Sequence, residues 1–201
     1  MSVNCLHYQS SFGDSMKATK IMLLRHGEKP AKDLTPFGVT QFGERDKESL
    51  AVRGWQRAGA LMSLFASLGT QTKHPFLARP QFLYASKPLR RKGSRRPLQT
   101  ITPLSEKLSI PINSSFPRFE IESMVEDVFS CKGVVLICWQ REYIPMIALQ
   151  ILGRTKTAPT IWPENRFDMF WVFDLDNRSG RYKFKQVPQK LLRGDLTSLI
   201  K

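Results

Sequence analysis

Long apolar runs are missing from this 201-residue chain. The longest, 133–138 and 169–173, fall well short of the roughly 20 residues that cross a bilayer, so no membrane-spanning helix is expected. Residues 1–20 lack the basic start and apolar core of a secretory leader, which argues against export. Cysteine is scarce: Cys5, Cys131 and Cys138 are an odd number without metal-ligand spacing. Two of them sit near or within apolar sequence and read as reduced, buried thiols of a cytoplasmic protein, which excludes a disulfide framework. Internal repeats and low-complexity segments are absent. Acidic residues are few, 17 Asp and Glu against 31 Lys and Arg, for a net charge of +14. Such a surface draws anions, but charge alone does not choose among phosphorylated small molecules, nucleic acid and acidic membranes.

With 41% hydrophobic and 24% charged residues the composition is that of an ordinary globular protein. The length suits one core. Met16 opens a compact stretch just before the first strand, so residues 1–15 are expected to be an extension outside the fold and residues 16–201 a single domain.

A buried strand is expected at 20–24, where Lys20-Ile21-Met22-Leu23-Leu24 runs into Arg25-His26-Gly27. Residues 30–48, rich in Gly, Pro, Asp and Thr, read as a long loop beside that turn. Apolar residues at three- and four-residue spacing predict a helix over 49–68, with Gly69 as its stop. A short strand at 82–85 and a helix at 97–108, with Pro97 in its first turn, follow. The strongest strand is 133–138, backed by a helix over 144–152 that Gly153 closes. Aromatic-rich strands at 168–175 and 181–187, joined by Asp176-Asn177-Arg178-Ser179-Gly180, form an expected hairpin at the edge of the sheet. Phe170, Trp171 and Phe173 on it read as packing residues and not as a base-stacking platform. Alternating strands and helices predict an α/β fold: a three-layer α/β/α sandwich with a mostly parallel sheet and an antiparallel C-terminal hairpin.

In such sheets the ligand crevice lies outside the carboxyl ends of the strands. Arg25-His26-Gly27-Glu28 falls at one end and Trp139-Gln140-Arg141-Glu142 at another. A histidine there can attack a phosphoryl group, because imidazole is a competent nucleophile near neutral pH. Phosphate brings about two negative charges and calls for guanidinium groups that bind paired oxygens. Arg25 is the nearest of these.

The segment Leu23-Leu24-Arg25-His26-Gly27-Glu28 resembles the Arg-His-Gly signature of the histidine phosphatase (phosphoglycerate mutase-like) superfamily. Three later segments extend the likeness in the expected order. Gly54-Trp55-Gln56-Arg57-Ala58 is similar to the helix start that follows the signature, and Ser94-Arg95-Arg96-Pro97-Leu98-Gln99-Thr100 is similar to the Ser/Arg segment ending in Gln-Thr. Residues 134–145, with Trp162-Pro163 and Arg166-Phe167-Asp168, resemble a bacterial subgroup with a Trp-Gln-His-x-x-Ile-Pro pattern. The resemblance implies a phosphoglycerate mutase-like fold and phosphomonoester hydrolysis through a phosphohistidine at His26, without metal or cofactor. It implies Arg25 and Arg96 as phosphate ligands, with Arg95 as a substitute, and places Gly27 and Glu28 beside the substrate. The segments that build a mutase's closed pocket are not recognisable. The superfamily's second pocket histidine would fall at position 141, where this chain has Arg141. The only other histidines, His7 and His74, lie in unmatched segments. An arginine keeps a charge-assisted contact to phosphate but removes titration near pH 7.

A general acid is expected among Glu28, Glu120, Glu122 and Glu142, with Glu120 and Glu122 also readable as a solvated face. Two alternatives accompany the phosphatase reading. One is a catalytically weak or inactive phosphate-ligand-binding domain of the same fold, motivated by Arg141. The other is a nucleic-acid-binding protein, motivated by net charge and by Lys87, Arg90, Arg91, Lys92, Arg95 and Arg96; basic runs of this kind are more often solvated surface, and nucleic acid is the weaker expectation. The partner expected first is a small phosphorylated substrate or inorganic phosphate.

Overall fold

The computed structural model describes residues 17–31, 35–70, 73–89, 93–153 and 155–201. The expectations for residues 1–15, and those for Cys5, His7, Met16, Arg90, Arg91 and Lys92, lie outside the described residues. In chain order the elements are β1 (Lys20–Arg25), α1 (Val52–Ser67), β2 (Phe82–Ala85), α2 (Arg96–Leu108), β3 (Ile112–Asn113), α3 (Ile121–Ser130), β4 (Val134–Trp139), α4 (Ile144–Ile151), β5 (Met169–Asp176) and β6 (Arg181–Pro188).

The strands form one mixed sheet in the order β3-β2-β4-β1-β5-β6. β1, β2, β3 and β4 pair in parallel, whereas β5 runs antiparallel to β1 and β6 antiparallel to β5. The hairpin thus adds the antiparallel edge that the turn chemistry predicts.

Period-2 alternation sorts the central strands onto two faces. Ile21 and Leu23 of β1, with Val135, Ile137 and Trp139 of β4, pack on one face among Met124, Val125 and Val128 of α3 and Ile144, Ile147 and Ala148 of α4. Met22 and Leu24, with Leu136 and Cys138, face the other side among Leu61 and Phe65 of α1 and Ile101 and Leu104 of α2. Both faces are covered, which is why β1 and β4 read as unbroken apolar runs. The helices are amphipathic in the matching sense: α1 buries Gly54, Arg57, Ala58, Leu61 and Phe65, and α3 buries Ile121, Met124, Val125 and Val128.

Two elements, α3 and β3, were not expected from the sequence. β3 is two residues long, too short to show a period. The apolar spacing of α3 is helical, but Glu120 and Glu122 at its start mask it. Helix α1 begins at Val52 and not at residue 49, because Ser49 and Leu50 are taken up by side chains from elsewhere. Ser49 Oγ donates to Asp46 Oδ2 at 2.6 Å, and Leu50 N–H donates to Gln99 Oε1 at 2.9 Å.

The carboxyl ends of β1 and β4 lie side by side, Arg25 opposite Trp139, with His26 N–H donating to Trp139 O at 3.1 Å. Ala85, the last residue of β2, lies opposite Cys138. The loops that leave these three strands therefore meet at one end of the sheet.

Candidate active site

A cleft of about 380 Å³ at that end is lined by Arg25 at the end of β1, His26 and Lys29 after it, Glu48 before α1, Ser94 before α2 and Arg96 at its start, Arg118 before α3, and Gln140, Arg141, Glu142 and Tyr143 after β4. The structure thus brings together residues from three distant stretches of sequence: Arg25 with His26, Arg96, and Arg141.

His26 is buried, 5% exposed, and its Nδ1 lies 2.7 Å from the carbonyl of Gly27. A carbonyl only accepts, so Nδ1 carries the proton and the lone pair stays on Nε2. Burial, together with the positive charge of Arg25, pushes the imidazole down to about 3 from its ordinary 6.5. The ring is therefore neutral throughout the neutral range.

The backbone around it is held by close approach. Gly27 N–H donates to Thr100 Oγ1 at 2.8 Å. A Cβ on Gly27 would lie 2.9 Å from Gly54 O, and one on Gly54 would lie 2.6 Å from Glu28 O. The first turn of α1 thus sits directly on the turn that carries His26, and only glycine at both positions permits it.

Arg25 is 1% exposed. Its Nη1 donates to the carbonyls of Glu164 at 2.5 Å, Arg166 at 3.0 Å and Pro163 at 3.3 Å, and its guanidinium lies 3.7 Å above the Phe167 ring. Its Nε has no hydrogen-bond partner among the described residues. Burial and the repulsion of Arg141 lower its pKa to about 9. Two guanidinium groups that repel one another thus line one cleft, and an anion bound there relieves the repulsion.

Arg96 opens α2. Its Nε donates to Ser49 O at 3.2 Å, its Nη1 to Ser94 Oγ at 3.4 Å and its Nη2 to Lys47 O, with the Glu48 carboxylate 3.8 Å away. Burial lowers its pKa. Arg141 pairs with Glu142, Nε to Oε1 at 3.1 Å. Gln140, 6% exposed, carries an Oε1 without a partner among the described residues.

Three residues expected beside the substrate are placed outside the cleft lining. Glu28 turns the opposite way, into Arg57 and Arg53. Gly27 spends its N–H on Thr100 and its carbonyl on His26. Arg95 is exposed and pairs with Asp46 at 3.5 Å. Of the four acids considered, only Glu142 lines the cleft. Glu28 is held by arginines, and Glu120 and Glu122 line a separate groove with Met146 and Leu149. Sequence reading missed Lys29, Glu48, Arg118, Gln140 and Tyr143. Gln140 lies within the 139–142 segment at the second strand end, and Lys29 and Tyr143 directly follow the two strand-end segments, whereas Glu48 and Arg118 arrive through loops that carry no pattern.

Among the described residues no group of three or more His, Cys, Asp or Glu is placed to hold a metal, and no helix is long and apolar enough to cross a membrane. Cys131 and Cys138 are unpaired and buried.

No protein-family profile and no curated protein sequence matches the chain. Solved structures do. A candidate alpha-ribazole-5'-P phosphatase from Escherichia coli superposes with a TM-score of 0.51 at 11% identity, over 85% of this chain and 96% of that one. A mycobacterial glucosyl-3-phosphoglycerate phosphatase in complex with inorganic phosphate superposes with a TM-score of 0.50 at 13% identity, over 84% of this chain and 96% of that one. Identities this low speak to the fold alone: this chain has the phosphoglycerate mutase-like α/β/α fold that these phosphatases share.

Proposed function

We propose that the chain is a phosphomonoester hydrolase in which His26 is the nucleophile and Arg25, Arg96 and Arg141 bind the phosphoryl group. The observation that carries this reading is a buried, neutral His26, its tautomer set by the Gly27 carbonyl, lining one cleft with three arginines. Nε2 attacks phosphorus, the ester P–O bond breaks, and the leaving oxygen takes a proton from a carboxyl group, for which Glu142 is the best-placed of the acids considered. Water then gives a proton to that carboxylate and attacks phosphorus, the P–N bond breaks, and inorganic phosphate leaves with His26 and the acid restored. The arginines offset charge on the equatorial oxygens in both steps. The structural neighbours include phosphatases, one of them with phosphate bound, which supports this class of substrate. The reading extends to membership of the superfamily's bacterial branch with the Trp-Gln-His-x-x-Ile-Pro pattern.

The test is hydrolysis of an aryl phosphate by the parent and by His26→Ala, with mass spectrometry of the quenched parent for one acid-labile phosphoryl group. Turnover and the adduct in the parent alone sustain the proposal. A parent that binds phosphate but neither turns over nor forms the adduct favours the second reading, a phosphate-binding domain without catalysis. That reading is motivated by Arg141 standing where the superfamily's second histidine is expected.

A further inference from the structure

The cleft holds more positive charge than one phosphate uses. Arg25, Lys29, Arg96, Arg118 and Arg141 line it against two carboxylates, Glu48 and Glu142, and burial keeps His26 neutral. Five cations over two anions leave three positive charges, and a phosphomonoester dianion matches about two of them.

Four of the five cations are already engaged. Arg25 donates to three carbonyls. Arg96 is tied to the loop before α1. Arg141 pairs with Glu142, and Lys29 Nζ sits 3.0 Å from Glu164. Arg118 differs. Its carbonyl accepts the indole N–H of Trp139 at 3.0 Å, which fixes its backbone against the end of β4, beside Gln140. Its guanidinium has no ion pair or hydrogen bond among the described residues. Gln140, on the same lining, is nine-tenths buried with an unpartnered Oε1, an acceptor suited to a hydroxyl of the substrate and not to the oxyanion itself. The wall that carries Arg118 is therefore anchored through its backbone and presents an exposed guanidinium without a protein partner among the described residues.

We propose that this wall is a second oxyanion subsite, with Arg118 as its specificity-determining residue, so that the substrate is a phosphomonoester bearing a further carboxylate or phosphate-like group. The inference rests on the phosphatase reading for its first phosphate. Arg118 presents a planar fork suited to a carboxylate or phosphate edge. Phosphomonoesters with a neutral alcohol portion leave that fork in water.

The experiment compares phenyl phosphate with 3-carboxyphenyl phosphate and 3-phosphonophenyl phosphate, whose extra groups separate the two oxyanion sources. The parent is expected to favour one or both anionic esters by about tenfold in kcat/KM, largely through KM, with the preference falling as salt rises. Arg118→Ala is expected to bring the ratio of anionic to neutral ester to about one, and Arg118→Lys to retain part of it. A parent without preference, or a preference that survives Arg118→Ala, overturns the subsite. If no ester is hydrolysed, the phosphatase reading fails separately. Calorimetric binding of the same three esters then decides the subsite by the same ratio in parent and Arg118→Ala.

Discussion

Arg57 and Glu28 form a buried fork-to-carboxylate pair: Arg57 Nη2 donates to Glu28 Oε1 at 2.8 Å and Nε to Oε2 at 3.1 Å. The same guanidinium donates from Nη2 to Asp195 Oδ1 at 2.8 Å and from Nη1 to Gln189 Oε1 at 2.9 Å. Burial alone lowers the Arg57 pKa, but these carboxylates outweigh it and hold the group charged. Asp195 also accepts the N–H groups of Leu191 and Leu192. A residue adjoining the His26 turn is thus clamped, through α1, to the segment after β6.

Removing Arg57 leaves two half-buried carboxylates to Arg53, 3.2 Å from Glu28 and 3.8 Å from Asp195. Arg57→Ala is expected to cost about 1–3 kcal/mol in urea unfolding, because both carboxylates lose charge-assisted hydrogen bonds that Arg53 replaces only in part. Arg57→Lys, which keeps charge but loses the fork, is expected to fall between parent and Ala. An Arg57→Ala protein as stable as the parent would show the clamp to be idle.

The contact between Gly27 and Gly54 predicts intolerance to a single methyl group. Gly54→Ala places Cβ against Glu28 O, with Leu50 Cδ2 3.0 Å away. The expected loss is about 1–3 kcal/mol by thermal or urea unfolding, together with reduced turnover as the His26 turn shifts. Gly59→Ala, on the same helix with open space around its Cβ, is the control and is expected to be neutral or slightly stabilising.

The depressed pKa of His26 sets a pH window. Between 6.5, its ordinary value, and about 3, the unfolded chain binds a proton at this site that the folded chain does not. Stability therefore rises with pH across that window and is lost as pH falls through it, by at most about 1.4 kcal/mol per unit. Urea midpoints of the parent and His26→Asn measured from pH 7 to pH 4 are expected to diverge, with the variant flatter. Asp195, held below its ordinary 3.8, acts in a lower window and affects both proteins alike. Parallel slopes would mean that His26 titrates normally in the folded protein.

Arg141 lines the same cleft as Arg25 and His26, and its charge lowers the Arg25 pKa. Arg141→His is expected to retain phosphate binding within about tenfold and to introduce an ionisation near pH 6.5 into the kcat/KM profile of an aryl phosphate. An unchanged profile would place position 141 away from the reacting phosphate.

The leaving-group acid is tested by varying the alcohol. Glu142→Gln is expected to slow alkyl phosphates by about 10²–10⁴-fold while sparing 4-nitrophenyl phosphate, whose phenolate leaves unprotonated. Equal losses on both substrates point to a charge role through Arg141, and the same dependence in Glu48→Gln would move the acid to the other carboxylate of the cleft.

How much of this was legible beforehand varies by element. The strands β1 and β4 were readable because burial on both faces leaves an unbroken apolar run, and the hairpin because its turn residues have local chemistry. Helix α3 was not, since its apolar positions follow two acids, and β3 was too short to carry a pattern. In the site, His26 and Arg25 were readable from their place at a strand end. Arg118 and Glu48 were not, because a loop residue reaches a cleft by the path of the chain, which no spacing encodes.

By itself, the amino-acid sequence determined the period of each long element, the α/β alternation, the absence of a membrane-spanning run and the identity of the residues at the strand ends, because these depend on local sterics and on the separation of apolar from polar groups. Only the tertiary structure decided that Glu28 pairs with Arg57, that Gly27 touches Gly54, that Nδ1 of His26 meets the Gly27 carbonyl, and that five cations converge on one cleft. These are relations between groups distant along the chain, set when both faces of the sheet are covered and buried charges find partners.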